Sequence, residues 1–484
     1  MGSEGSARVW QDDLLDREAE AIFLQTFLLN RVAERRVQGR PASYVLNLNA
    51  DWGQGKTFFL NRLARQLEAD GYLVAKIDAW ADDHAEDPLL PVMLAINKAI
   101  NADTKRAKAA AALKKVGIKL VAAGVKGVAM QVGHRLAGEA ATKEIVDSAT
   151  AAFGTTVDKI YDDAGKALIE KFEKSQKSIS HFKEQLAAAL EDGSSKRKAP
   201  LFVLVDELDR CRPTYAIALL ERIKHIFEVS NVVFVIATNT EQLRCSIGAV
   251  YGANFDSARY LHRFFDRTYD LSEKKDLQAY VENIVHQLQI DPSKFSLPPD
   301  EKMSSYLVGG FNHFGFGLRD VEQCLDVLRS TSTVWQHPFP IELSLLFPLI
   351  IAQYRDLPLH ADSATVKALK ELALKAAGPA WRLKFRPYVS GPERRTVSGD
   401  TDGLSLFELQ CSVVKRSIHD VVNDDASNAT GYRWIVEQIR GEVSAASGGG
   451  ARGSARSVQA DYPELVRSAG RLRAGADVPP GKSA

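Results

Sequence analysis

The chain is poor in the residues that build metal-held or disulfide-held scaffolds. Its four cysteines, Cys211, Cys245, Cys324 and Cys411, are scattered through 484 residues with no Cys-x-x-Cys pair, which argues against a disulfide framework and a structural zinc site. The ten histidines are equally dispersed, and no His-x-Glu is followed by paired cysteines, so no deaminase, nuclease or metalloprotease constellation emerges. An excess of one charge is missing too. Lys plus Arg total 62 against 61 Asp plus Glu, a net charge of +1, and any attraction to nucleic acid or to an acidic surface must therefore be local. The opening residues, MGSEGSARVWQDD, lack the basic-then-apolar pattern of a secretory leader, and a reducing cytoplasm is the expected setting. What remains, 45% hydrophobic and 25% charged residues, is an ordinary globular composition with material for roughly three domains of about 150 residues.

Periodicity sorts the chain into elements. Asp13 to Arg36 carries Leu14, Ile22, Phe23, Phe27 and Leu28 among charges at helical spacing, one amphipathic helix. Tyr44 to Asn49 alternates apolar and polar residues as a strand, a glycine turn follows, and Lys56-Thr57-Phe58-Phe59-Leu60 opens a helix. Tyr72 to Asp78 reads as a second strand and Pro88 to Ile100 as a helix, the alternation of an α/β domain with a parallel sheet. It resumes at Leu201 to Asp206 and Val232 to Ala237, two near-continuous apolar runs of the kind found in central strands covered on both faces.

Between these halves the composition shifts to Ala, Lys, Gly and Glu, a helical insertion. From Thr104 to Leu136 it holds eight Lys or Arg and no Asp or Glu, with Lys115, Lys119 and Lys126 on one helical stripe and Ile118, Val121, Val125, Val128 and Val132 on another. That is too charged to span a bilayer. It fits a surface helix covering its own domain or a second copy, or one lying in a membrane surface. Beyond Leu271 the pattern is helical, at Lys275 to Leu288, Pro299 to Val308, Arg319 to Ser330 and Ile341 to Tyr354. The segment from Trp381 to Gly403 reads as loop, and Ser444 to Ala484 reads as a flexible tail with a short helix near Tyr462 to Leu472.

The chemistry concentrates in Ala50-Asp51-Trp52-Gly53-Gln54-Gly55-Lys56-Thr57. A triphosphate is held by many amide N–H groups at once, which needs a backbone that curls without Cβ obstruction; Gly53 and Gly55 supply that, Lys56 reaches the β and γ phosphates, and Thr57 offers a hydroxyl to Mg²⁺. Ala50 stands where the G-x4-G-K-[ST] pattern has its first glycine. The second motif is Leu201-Phe-Val-Leu-Val-Asp206-Glu207-Leu208-Asp209-Arg210. An apolar strand ending in Asp206 puts that acid at the carboxyl edge of the sheet, where it can bind Mg²⁺, while Glu207 can polarise the attacking water. Asp209 and Arg210 can form a local ion pair that shapes the turn. Asn239, just past the next strand, suits a γ-phosphate sensor or a strand-terminating turn. Arg263 suits a finger offered to a neighbouring subunit or a solvated helix face, and Arg319 opens a helix from which it can report nucleotide occupancy.

These residues resemble the KAP group of P-loop NTPases. The resemblance rests on Leu15-Asp16-Arg17-Glu18, the Asp51 to Thr57 loop with its tryptophan, Ile77-Asp78-Ala79-Trp80, Asp206-Glu207-Leu208-Asp209-Arg210-Cys211, Tyr260-Leu261 to Leu271, and Leu318-Arg319-Asp320. It covers Asp13 to Arg329. It implies an additional-strand P-loop ATPase related to the AAA+ and signal-transducing classes. Many members carry transmembrane helices in the insert; some bacterial members are tied to phage exclusion, and an animal member is a membrane signalling scaffold.

The expectation is therefore an α/β P-loop NTPase core of the additional-strand type, with a large helical insertion and a C-terminal helical domain. Residues 1–100 and 200–271 form the core, 101–199 the insertion, 272–443 the helical domain and 444–484 the tail. The chain is expected to use ATP and Mg²⁺ as a conformational switch, with the resemblance implying bacterial antiviral defence. Glu207, Asn239 and Arg263 are the expected catalytic residues; Asp51, Trp52, Gly53, Gln54, Gly55, Lys56, Thr57, Phe58 and Arg319 are expected to meet nucleotide, and Thr57 and Asp206 the metal. Partners are a second copy of the chain and a protein effector or sensor, with membrane-surface or nucleic-acid contact through 104–136. The alternatives are an ATP-binding scaffold with little turnover and a nucleic-acid-stimulated ATPase.

Overall fold

The computed structural model describes residues 9–85, 87–101, 179–191, 197–224, 226, 228–271, 276–298, 301–385, 399–422, 431–446 and 456–471. The basic stretch 104–136 lies outside the described residues. The chain divides into two compact units, Met1–Glu273 and Lys274–Ala484.

The first unit is built on a parallel sheet of β1 (Tyr44–Asn49), β2 (Tyr72–Asp78), β3 (Lys198–Asp206), β4 (Val232–Thr238) and β5 (Arg267–Asp270), in the order β2-β3-β4-β1-β5. β4 lies between β1 and β3, so a strand is interposed between the two that carry the motifs. The apolar runs of β3 and β4 fill the middle of the sheet and are buried over nearly their whole length. Because side chains alternate along a strand, Phe202 and Leu204 point to one face and Val203 and Val205 to the other. On the first face they join Leu24, Leu28, Phe59, Leu63 and Leu67 of helices Arg17–Val37 and Lys56–Ala69. On the second they join Val92 and Ile96 of Leu89–Asn101, Phe182 and Leu186 of the helical residues 179–191, Leu220 of Pro213–Lys224 and Leu243 of Thr240–Tyr251. Thus the last part of the expected insertion is a layer of the core. The first helix begins at Arg17, not Asp13, because the Asp13 carboxylate accepts hydrogen bonds from the Leu15 and Glu18 amides at 3.1 and 3.0 Å. That makes a turn of the residues before it.

The second unit is mainly helical. Leu343–Tyr354 is apolar all round and buried almost throughout, as a central core helix must be. Two corrections to the expected elements arise here. Trp381 to Gly403 is not simply loop: Arg382–Phe385 and Gly399–Asp402 pair as an antiparallel hairpin, and Trp381 is fully buried against Tyr306 and Phe347. Nor is 444–484 uniformly a tail. Tyr432–Ala446 is one helix, and Tyr462–Gly470 docks through Tyr462 and Val466, with the Tyr462 hydroxyl accepting the Glu342 amide at 2.9 Å. The sequence marks this short helix but not its docking, because the apolar residues that anchor it are few and sit among Ser, Gly and Arg.

Candidate functional site

Polar chemistry gathers where the strands end. β1 delivers the glycine loop, β2 ends in Asp78, β3 in Asp206 and β4 in Thr238, so the loop and the acids share the carboxyl edge of the sheet, the usual ligand edge of α/β folds. Asp78 and Asp206 are register partners, and the Ala79 amide donates to the Asp206 carbonyl at 3.0 Å.

Within the loop, Gly53 and Gly55 have φ of 80° and 83°, the left-handed region in which a Cβ costs about 1–2 kcal/mol. Gly55 is the residue from which the helix Lys56–Ala69 departs. The Lys56 ammonium is buried and donates to the carbonyls of Ala50 at 2.5 Å and Asp51 at 3.2 Å. Burial holds its pKa below the usual lysine value, opposed chiefly by the negative charges of Asp209 and Asp206. The Thr57 hydroxyl stands beside the Asp206 carboxylate and favours its charged form, and that carboxylate accepts the Glu207 amide at 2.9 Å. Burial raises the Asp206 pKa, and the Thr57 hydroxyl and Glu207 amide pull it back.

Glu207 sits at φ 59° and turns its carboxylate to Arg210, 2.6 Å away. Burial raises its pKa while the Arg210 guanidinium opposes the rise. Arg210 therefore pairs with Glu207 and not with Asp209 as the sequence suggested; the left-handed turn at Glu207 swings its side chain back over the short helix Leu208–Arg210. Arg210 also lies over the exposed Trp80 ring at 5.8 Å. Asp209 instead accepts the indole N–H of Trp52. Cys211, in the same turn, is buried with its thiol pushed up to about 12, which removes it as a nucleophile.

Asn239 does two things at once. Its Oδ1 accepts the Gln242 amide at 3.2 Å, capping Thr240–Tyr251, and its Nδ2 donates to Asp51 at 3.1 Å. Gln54 closes the turn through its amide to the Asp51 carbonyl at 3.4 Å. Phe58 packs edge-on to Trp10 and under Arg62, away from Lys56. Arg263 is exposed and lies just before β5. The Asp266 amide three residues later donates to the carbonyl of Val45, near the start of β1, so Arg263 stands at the opposite edge of the sheet from its own loop. Arg319 is exposed on the first turn of Leu318–Val334, in the second unit.

Three further residues support the loop. Arg17 is buried and reaches the Gln54 carbonyl at 3.4 Å while holding Glu20 at 2.8 Å. Asn47 is buried in β1, donating to Thr240 and accepting from Thr238, both at 2.8 Å. Asn49 accepts the Thr240 amide at 2.9 Å and donates to Asp270 at 2.7 Å. The asparagines were legible only as the polar half of an alternating strand; nothing in that pattern says that they tie β1 to its neighbours.

A strand-loop-helix of this shape, facing an acid at the end of a strand one place removed in the sheet, defines a P-loop NTPase domain of the additional-strand kind. A family model described as KAP family P-loop domain matches residues 30–287, more than half of the chain, and the chain belongs to that family. No curated protein matches it significantly. No helix among the described residues is long and apolar enough to cross a membrane.

Proposed function

We propose that the chain is a magnesium-dependent ATPase whose nucleotide state switches an attached arm or partner. The observation that carries this reading is the contact of Thr57 with Asp206 beside Lys56. It joins a hydroxyl and a carboxylate, both hard oxygen donors of the type magnesium takes, to the one buried ammonium of the loop. Among the described residues no group of three or more His, Cys, Asp or Glu is placed to hold a metal alone. This suits an ion that draws its remaining ligands from phosphates and water. Held by Thr57 and Asp206, magnesium would supply positive charge that stabilises the departing phosphoryl group.

The protein's own part is positioning. Gly53 and Gly55 shape the backbone for anion contact, and Lys56 exchanges the Ala50 and Asp51 carbonyls for phosphate oxygens. Thr57 and Asp206 hold the cation. Glu207, once released from Arg210, accepts a proton from water. The Arg210 pair also favours a second reading, a nucleotide-gated scaffold with little turnover, since Glu207 is held by a neighbour where a free base is needed. Phosphate release from purified protein with Mg-ATP, compared with the Glu207→Gln variant, separates the two. A rate abolished by the substitution supports the ATPase, and no wild-type turnover despite tight binding supports the scaffold.

A second copy of the chain is the proposed partner, since Arg263 is exposed at the edge of the sheet away from its own loop and can be offered to another molecule's phosphates. Reporting by Arg319, a protein effector, contact of 104–136 with lipid or nucleic acid, and a role in antiviral defence rest on the sequence reading and the family resemblance. Plaque counts on cells carrying wild-type or Lys56→Ala protein test the last of these.

A further inference from the structure

Asp209 is a buried carboxylate, 8% exposed, in the turn after β3. Its Oδ2 accepts the Trp52 indole N–H, and its Oδ1 is buried with no hydrogen-bond partner among the described residues. A carboxylate that serves only to stabilise a fold is normally saturated by its surroundings. Among the described residues this one has a single hydrogen-bond partner, and that partner lies in the phosphate loop. The Trp52 ring is half exposed, so packing does not fix its direction; the charge-assisted bond to Asp209 does. On the other side of the loop Asp51 is held by Asn239. The loop thus hangs between two anchors, one after β3 and one after β4.

We infer that Asp209 is a positioning residue for the nucleotide reaction: through Trp52 it sets the shape of the phosphate loop. This rests on the ATPase reading above and adds to it a residue outside the two acids that the motif supplies. The bond is made before nucleotide arrives, so its loss falls on binding more than on the chemical step. A charge-assisted hydrogen bond contributes about 1.5–3 kcal/mol, which corresponds to a loss of affinity of roughly 10- to 100-fold.

The test is a cycle of Trp52→Phe, Asp209→Ala and the double variant, with Asp209→Asn as the conservative replacement, measured for KM and kcat with Mg-ATP. Hydrogen exchange of residues 50–56 is followed in the nucleotide-free proteins. Both single variants are expected to raise KM about tenfold or more with a smaller change in kcat. The double variant should be no worse than the worse single one. Asp209→Asn keeps an oxygen for the indole and should restore most of the exchange protection, but less of the affinity, because its charge is gone. Multiplying effects in the double variant, or an Asp209→Ala protein with wild-type KM and wild-type exchange at 50–56, overturn the inference. Wild-type protein that takes up no Mg-ATP overturns the ATPase reading instead. The exchange measurement needs no nucleotide and still decides whether Asp209 holds the loop.

Discussion

Thr57, in the first turn of the loop helix, stands beside the carboxylate of Asp206 at the end of β3 and favours its charged form. Two residues almost 150 positions apart in sequence are brought together because β4 alone separates the strands that carry them. Thr57→Ala and Asp206→Asn should therefore act alike. Each is expected to leave nucleotide affinity in EDTA unchanged and to remove the gain in affinity that magnesium gives. Titration with and without the metal checks this, and a Thr57→Ala protein with full magnesium dependence contradicts it.

Lys56 and Gly55 separate charge from shape. Lys56→Ala removes the buried ammonium and is expected to weaken nucleotide binding on the order of 100-fold, with the melting temperature little changed. Gly55→Ala keeps the charge but places a Cβ at φ 83°, costing about 1–2 kcal/mol. It should lower both stability and affinity. Melting curves and binding titrations on the two proteins distinguish the effects.

Glu207 and Arg210 govern the acid side of the rate profile. Burial raises the pKa of Glu207, and Arg210 opposes the rise. A base works only when ionised, so turnover should climb with pH through a limb lying above the ordinary carboxylate range. Arg210→Ala removes the opposing charge and should move that limb to still higher pH. Glu207→Gln should lower kcat roughly 100-fold or more and leave ATP bound. Rate profiles of the three proteins read this out.

In the second unit, Glu342 is fully buried and its pKa is raised to about 8. Its Oε1 accepts the amide and hydroxyl of Ser344 at 3.1 and 2.8 Å, while Oε2 has no hydrogen-bond partner among the described residues. The nearby phenols of Tyr306 and Tyr462 are raised well above their usual range and stay neutral. The folded state keeps its proton where the unfolded chain has lost it. Stability therefore falls as pH rises from about 4.5 to about 8 and levels off beyond. Glu342→Gln mimics the protonated acid: it should match wild type near the low end of that window and melt higher than wild type above it. Equal melting temperatures at the high end contradict this.

The sheet was legible because β3 and β4 are unbroken apolar runs, and the loop because glycines before Lys56-Thr57 have few other uses. The tie between Trp52 and Asp209 was not. It joins residues 157 positions apart, and local spacing had paired Asp209 with its neighbour Arg210. The same limit applied to Asn47 and Asn49, whose roles depend on which strand lies alongside. The short helix at Tyr462 was legible, but its docking was not, since its one buried aromatic residue sits in a Ser- and Gly-rich context. Local chemistry fixes what a residue can do, and the partner it meets is set by topology.

The central claim is that the loop from Asp51 to Thr57 and the acid Asp206 together hold a magnesium-bound nucleoside triphosphate. Isothermal calorimetry of the full chain with ATP and magnesium tests it most directly. Saturable heat from one site per chain, lost in Lys56→Ala, is the predicted result; no heat from ATP or GTP with folded wild-type protein contradicts it.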